Sequence, residues 1–234
     1  MNKSLISVAL LLVSSAAFAE AEYPQNPVLR PLTLTDGIIS VGGSLAWAEE
    51  NDDSRGELNL NAAYGLTDNL TLGFGGINYR VLARPDNKTG LELAVGLGLR
   101  GYQDSKLNGY SVGYGADLNG KYVFNEDIAM IFALGYVKWD EEKLKNKGEF
   151  RYSVGVQANV AKDLTATANY TYRDLKDFSQ NDANEVNLGL NYAYSKSTDI
   201  GIFTGYSSFD AQENGYQLDD NFERVAGIYT AYRF

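Results

Sequence analysis

The sequence predicts an all-β fold, an antiparallel up-and-down β-barrel, and three observations carry this prediction. Segments of ten to fourteen residues alternate between apolar and polar side chains, which is the period of a strand with two different faces. The last thirteen residues, 222–234, alternate up to the final carboxylate and end on Phe234. Beyond residue 19, no apolar run approaches the roughly 20 residues of a membrane-spanning helix. Any crossing of a membrane must therefore use strands.

The N-terminal residues predict an exported chain. Lys3 supplies a positive start, residues 5–13 an apolar core, and residues 17–19 (Ala-Phe-Ala) a small-x-small cleavage site. We therefore expect a signal peptide over residues 1–19, cleaved after Ala19. Residues 20–36 are rich in proline and irregular, and we interpret them as a periplasmic tail that could dock into the mouth of the barrel. The barrel domain is expected to span residues 37–234.

The strand faces can be read most clearly in residues 164–173. One face carries only apolar or aromatic side chains, and the other carries Thr, Asn and Arg. Residues 150–160 and 186–194 alternate in the same way. In a transmembrane barrel the apolar face meets lipid and the polar face meets the lumen. The 17 tyrosines cluster near strand ends, where aromatic girdles lie.

The connections predict twelve strands, with ten as the alternative count. Short polar turns are expected at residues 66–69, 125–127, 161–163 and 196–199, and longer acidic loops at 49–55, 140–147, 174–184 and 210–221. Short turns are typical of the periplasmic side. Short turns and long loops alternate along the whole chain only if residues 69–84 form a hairpin that turns at Gly75-Gly76, with strands at 70–74 and 77–83. Both termini are then periplasmic.

The polar faces define a set of candidate lumen residues in which basic side chains outnumber acidic ones. They are Arg80, Arg84, Glu92, Arg100, Asp117, Lys121, Arg151, Asn169, Arg173, Glu185, Asn187, Asn191 and Arg233. A charge that faces lipid costs several kcal/mol, about 2 to 4 for Arg or Lys at the midplane, so these residues are expected to point inward whatever the function. Two interpretations remain open: ion pairs that fill the lumen, or a pore whose arginines favour anions.

Composition argues against several other classes of function. The chain has no His and no Cys, which removes the commonest general base, nucleophiles and metal ligands, and it contains no G-x-S-x-G sequence. We therefore expect no enzyme activity, no cofactor and no metal site. The net charge of −10 argues against nucleic acid as a partner. The acidic loops could bind divalent cations shared with lipopolysaccharide, or they could simply be solvated.

Over residues 37–234 the chain resembles bacterial outer-membrane β-barrel proteins. The resemblance rests on the signal peptide, the alternating strands and the terminal aromatic residue. It implies the outer membrane of a Gram-negative cell and contact with lipid and lipopolysaccharide. We expect a monomer, because no outer strand face is unusually polar. The resemblance also implies that the outer-membrane assembly machinery reads the last strand, with Tyr232 and Phe234 as its signal. In length the chain is similar to the small monomeric porins for acidic oligosaccharides, and equally to other compact outer-membrane proteins of proteobacteria.

These observations predict a narrow, porin-like channel for small solutes or ions, with a mixed and slightly basic lumen. The alternative is a non-conducting structural or adhesive barrel that works through its acidic extracellular loops.

Overall fold

The computed structural model describes residues 23–50, 53–85, 88–105, 109–211, 213–214 and 223–234. The expected signal peptide, its cleavage site, residues 20–22 and most of the expected loop at 210–221 lie outside these residues. None of the described residues belongs to a helix that is long and apolar enough to cross a membrane.

Within the described residues, twelve antiparallel strands form one closed barrel, as the sequence predicts. In chain order they are β1 Ile39–Glu50, β2 Asp53–Thr67, β3 Leu70–Gly73, β4 Gly76–Leu82, β5 Gly90–Ser105, β6 Gly109–Val123, β7 Ile128–Glu141, β8 Lys147–Ala161, β9 Leu164–Lys176, β10 Asp182–Ala193, β11 Thr198–Ser207 and β12 Arg224–Arg233. Because the number of strands is even, both ends of the barrel domain lie on the same side. We call that side the turn end and the opposite side the loop end.

The barrel is closed by its first and last strands. β12 pairs with β1 from Ser40↔Arg233 to Glu49↔Arg224. The main chain of Phe234 adds two further bonds, since its N–H donates to Ile39 O over 3.0 Å and its carbonyl accepts from Ile39 N over 2.8 Å. The terminal residue therefore takes part in the seam.

The two faces of the wall have opposite chemistry. Leu188, Ile202 and Ile228 exemplify the outer face, where large apolar side chains are exposed along every long strand. The alternate positions carry glycine, small residues, amides and charges, and many of these are buried. Such a molecule is stabilised by lipid on its outside and by polar contacts within.

The hairpin of β3 and β4 confirms the predicted split of residues 69–84. Gly75 has φ +92°, and its carbonyl accepts a bond from Leu99 N over 2.7 Å. Since β3 is only four residues long, β2 pairs with it only between Ala63 and Thr67. Above that level β2 pairs only with β1 among the described strands, which explains why Asn59 and Asn61 are exposed although they face inward.

Three of the four expected acidic loops are shorter than the sequence suggests, whereas the connection between β11 and β12 covers residues 208–223 rather than 210–221. Pairing of β1 with β2 continues to Glu50↔Asp53, so the expected loop at 49–55 is wrong in its extent. β7 likewise runs to Glu141, and β9 to Lys176. Charged residues can continue a strand beyond the bilayer, because water solvates side chains that lipid would exclude. Charge alone therefore does not mark the end of a strand here.

Residues 23–36, which we call the N-terminal segment, lie against the inside of the turn end. Pro27–Leu29 forms one turn of 3-10 helix, and the Asn26 side chain accepts from Val28 N over 3.0 Å as its cap. Val28 is fully buried against Val123 and Ala129. The helix is thus anchored on the inner wall where β6 turns into β7.

Candidate functional site

The N-terminal segment crosses the mouth of the barrel at the turn end. Its side chains donate to carbonyls on three turns: Asn26 to Glu126 over 2.7 Å, Gln25 to Ala193 over 3.0 Å, and Thr33 to Asp68 over 2.7 Å. These turns connect β6 to β7, β10 to β11 and β2 to β3, so they divide the ring of twelve strands into thirds.

An arginine of this segment connects it to the last two strands of the barrel, β11 and β12. Arg30 makes a bidentate pair with Asp199, with N···O distances of 2.5 and 2.8 Å, and Arg233 contacts the same carboxylate through Nη2. The Tyr23 ring lies near both guanidinium groups, 5.7 Å from Arg30 Cζ and 5.1 Å from Arg233 Cζ. Burial raises the pKa of the Tyr23 hydroxyl, so the ring stays neutral between two cations.

A second buried carboxylate, Glu92, lies on β5. Arg84 Nε contacts its Oε2 at 2.8 Å and Arg80 Nη1 its Oε1 at 3.4 Å. The same Oε1 accepts from Leu32 N over 2.8 Å. Arg84 Nη2 also donates to Leu29 O over 2.7 Å. The N-terminal segment is therefore bonded to both partners of a buried ion pair.

Lys121 completes what we call the turn-end cluster: Arg30, Arg80, Arg84, Glu92, Lys121, Asp199 and Arg233. Its ammonium group donates to Pro27 O and Arg30 O over 3.0 and 3.1 Å. Among the described residues, no carboxylate oxygen lies within 4 Å of the Lys121 ammonium group, which is bonded to backbone carbonyls instead. The cluster contains five cations and two carboxylates.

The middle of the lumen is polar with fewer charges. Arg100 pairs with Asp117 across β5 and β6. Asn169, Asn187 and Asn191 lie on the inward face of β9 and β10, and the Asn191 side chain accepts from the Tyr229 hydroxyl over 2.7 Å. This part of the wall offers hydrogen-bond donors and acceptors to whatever occupies the lumen.

At the loop end, charges converge on Glu149, which is fully buried. It accepts from Arg151 Nε over 2.9 Å, from Arg173 Nε over 2.7 Å and from the Trp139 indole over 3.2 Å. Arg173 extends the network to Glu185 over 2.9 Å. We call Trp139, Glu141, Lys147, Glu149, Arg151, Arg173 and Glu185 the loop-end cluster. Its three cations and three carboxylates balance, in contrast to the turn-end cluster.

Loop residues pack over the loop-end cluster. Phe209 lies in an apolar group with Leu175, Ala183 and Ala211, and Arg173 Cζ is 4.5 Å from the centroid of its ring. Lys147 Nζ donates to Asn214 O over 3.1 Å. The described part of this loop therefore folds inward over the wall.

Every candidate lumen residue from the sequence lies on the inward side of the barrel. Arg80, Arg84, Glu92, Lys121 and Arg233 belong to the turn-end cluster, and Arg151, Arg173 and Glu185 to the loop-end cluster. Arg100, Asp117, Asn169, Asn187 and Asn191 lie between them. Tyr232 and Phe234 lie on the outer face, with ring centroids 5.7 Å apart.

Sequence reasoning missed several inward charges, above all Asp199 and Glu149. Asp199 was assigned to a short turn, although alternation with Ile200 and Ile202 places it on the inner face. Glu149 alternates with Phe150 in the same way. No alternation of apolar and polar residues could identify Arg30, because the N-terminal segment is irregular. Among the described residues, no group of three or more acidic side chains could hold a metal ion.

A family model described as an outer membrane protein beta-barrel domain matches residues 5–195. The chain belongs to this family. It is thus an outer-membrane β-barrel, which agrees with the closed strand order and the exposed apolar outer face. Among curated proteins, none is similar in sequence to this chain.

Solved structures similar to this outer-membrane barrel include several porins. A KdgM porin shares 12% identity over 83% of this chain and 99% of its own, with a TM-score of 0.51. A NanC porin shares 15% identity over 84% of this chain and 98% of its own, with a TM-score of 0.49. An anion-selective porin from Comamonas acidovorans shares 14% identity over 84% of this chain and 98% of its own, with a TM-score of 0.47. At such identities, the likeness to the KdgM porin supports the barrel fold alone.

Proposed function

We propose that this outer-membrane barrel is a narrow channel for small solutes or ions and favours anions. The observation that carries the proposal is the continuous polar inner wall, in which unbalanced positive charge is concentrated at the turn end. Rings and clusters of one charge sign select ions of the opposite sign. The turn end would face the periplasm, since short turns are typical of that side, and the signal peptide would be removed after Ala19.

The contacts at the two ends are consistent with a narrow passage. The N-terminal segment crosses one mouth, and the loop-end cluster with Phe209 narrows the other. The barrel works as a monomer inserted among lipid and lipopolysaccharide in this proposal. The proposal includes no enzymatic step, because the chain has no His or Cys.

A second candidate function is a non-conducting structural or adhesive barrel that acts through its loops. The balanced and buried loop-end cluster favours it, because three cations and three carboxylates that bond to one another leave little charge for a passing ion. In this case the described loop residues near Phe209 would form part of a surface, and the polar lumen would only stabilise the barrel.

Single-channel recording of the purified barrel in a planar bilayer, under a salt gradient, tests the first proposal. We expect discrete conductance steps and a reversal potential on the anion-selective side. Replacing Arg80, Arg100 and Arg151 with Gln should move the reversal potential toward cation selectivity, because each contributes positive charge to the lumen. A matched variant replaces the exposed Lys145, Lys176 and Arg224 with Gln and should leave it unchanged.

Absence of conductance from a barrel that is verified as folded would favour the second candidate. A conducting barrel whose selectivity is the same in both triple variants would contradict the role of the lumen arginines.

A further inference from the structure

A cavity of about 540 Å³ lies between the N-terminal segment and the barrel wall. Among its lining side chains are Arg30, Lys121, Gln157, Asn191, Asp199 and Arg233. Its volume is within the range of about 300 to 1,000 Å³ that is usual for small-molecule sites. A lining of this polarity is suited to a charged or hydrogen-bonding occupant.

The charge around this cavity is positive and buried. Glu92 and Lys121 are 0% and 4% exposed, and the Asp199 side chain is 3% exposed. Both carboxylates already bind two arginines each, so neither is available to neutralise Lys121. Buried charge that is not fully compensated is costly, and the turn-end cluster holds five cations against two carboxylates. An anion in the cavity would remove part of that cost.

Polar atoms without partners point to where the anion would bind. Arg233 Nη1 and Asn191 Nδ2 are buried donors with no hydrogen-bond acceptor among the described residues, and Gln157 Oε1 is a buried acceptor with no donor there. The Arg233 side chain is nine-tenths buried and uses only Nη2 on Asp199. Buried polar groups are nearly always hydrogen-bonded in folded proteins, so three unpartnered atoms lining one cavity indicate a missing ligand.

We infer that this cavity is a binding site for an oxyanion, the carboxylate or phosphate group of a small molecule. Arg233 Nη1 and Asn191 Nδ2 would donate to its oxygens, because a guanidinium group suits planar and tetrahedral oxyanions. Gln157 Oε1 would accept a hydrogen bond from a hydroxyl group of the same molecule, or from the oxyanion group itself when that group is protonated. The excess charge of Lys121 and Arg30 would hold the anion without direct bonds. This site exists whether or not the barrel conducts.

Isothermal titration of the barrel, extracted from outer membranes into detergent at low ionic strength, tests the site. Inorganic phosphate and succinate are the probes, with chloride as the background anion. We expect saturable binding of at least one probe, and the tighter of the two identifies the head group. Arg233→Gln should weaken binding at least tenfold, and Asn191→Ala should weaken it as well. Arg224→Gln, the same change at an exposed position of β12, should keep the affinity within twofold.

Two results would overturn the inference. In the first, neither probe binds the folded wild-type barrel at millimolar concentration. In the second, Arg233→Gln binds a probe as tightly as the wild type does. If Arg233→Gln does not fold, as judged by heat-dependent gel migration, Asn191→Ala decides. Because titration does not depend on conductance, its failure is distinct from failure of the channel proposal.

Discussion

Glu149 is the residue on which the loop-end cluster depends. Two arginines and an indole donate to its carboxylate, and its side chain is fully buried. Removing one member of a buried ion pair leaves its partners charged and unpaired, which costs more than the pair itself contributes. At an exposed site the same loss is small, because water replaces the partner.

We therefore expect Glu149→Gln to lower the free energy of unfolding by about 3 to 5 kcal/mol. Urea titration of the refolded barrel, followed by tryptophan fluorescence, would measure the change. Glu57→Gln is the matched control, since the Glu57 side chain is 22% exposed and forms an ion pair with one arginine, Arg55. Its cost should stay below about 1 kcal/mol. Equal effects of the two substitutions would show that Glu149 is not the centre of the network.

Period-two alternation was sufficient to place the lumen residues but not to pair them. It assigns Arg173 to the inner face, yet nothing in the sequence connects Arg173 with Glu149 on the neighbouring strand. Those partners depend on the stagger between strands, which is a property of barrel closure. The pairing of Arg30 with Asp199, 169 residues apart, lies even further from what a local pattern can show.

At the scale of elements, the N-terminal segment is the part that most alters the lumen. Its backbone or side chains bond to β3, β5, β6, β8 and β11 as well as to the turns. Thr71 and Glu92, for example, accept from the main-chain N–H groups of Leu34 and Leu32. Because main-chain groups make these bonds, the N-terminal segment narrows the mouth at the turn end independently of the identity of its side chains.

Replacing residues 23–34 with a Gly-Ser segment of equal length should raise single-channel conductance, because the contacts that hold the segment across the mouth are lost. The increase should be at least twofold if the segment is the narrowest point. A control variant, Lys162→Gln, alters an exposed turn at the same end and should leave conductance unchanged. Unchanged conductance in the Gly-Ser variant would place the constriction at the loop end.

The sequence predicted the strands better than it predicted the connections. Gly75 marks the short hairpin because a positive φ is required there. The acidic stretches, in contrast, were expected to be loops and are partly paired strand, because a strand outside the bilayer has no need of apolar residues. The contacts of the N-terminal segment could not be predicted, since they depend on a barrel that forms from the rest of the chain.

At the scale of the whole molecule, the seam between β1 and β12 decides whether the barrel is closed. Phe234→Ser should reduce the amount of folded protein in the outer membrane severalfold, because the terminal aromatic residue is expected to be read by the assembly machinery. Phe124→Ser is the matched control, as Phe124 is an exposed aromatic residue at a turn. Quantitative immunoblotting of outer-membrane fractions would measure both. Equal levels of the two variants would contradict the role of the last strand.

The route of the N-terminal segment has a consequence for the order of folding. The segment is made before any strand, yet its partners Asp68, Glu126 and Ala193 come together only when all three thirds of the ring are in place. Asp199, the partner of Arg30, also bonds to Arg233 at the end of the chain. We therefore expect the N-terminal segment, although it is synthesised before the strands, to dock only after the ring of strands has closed.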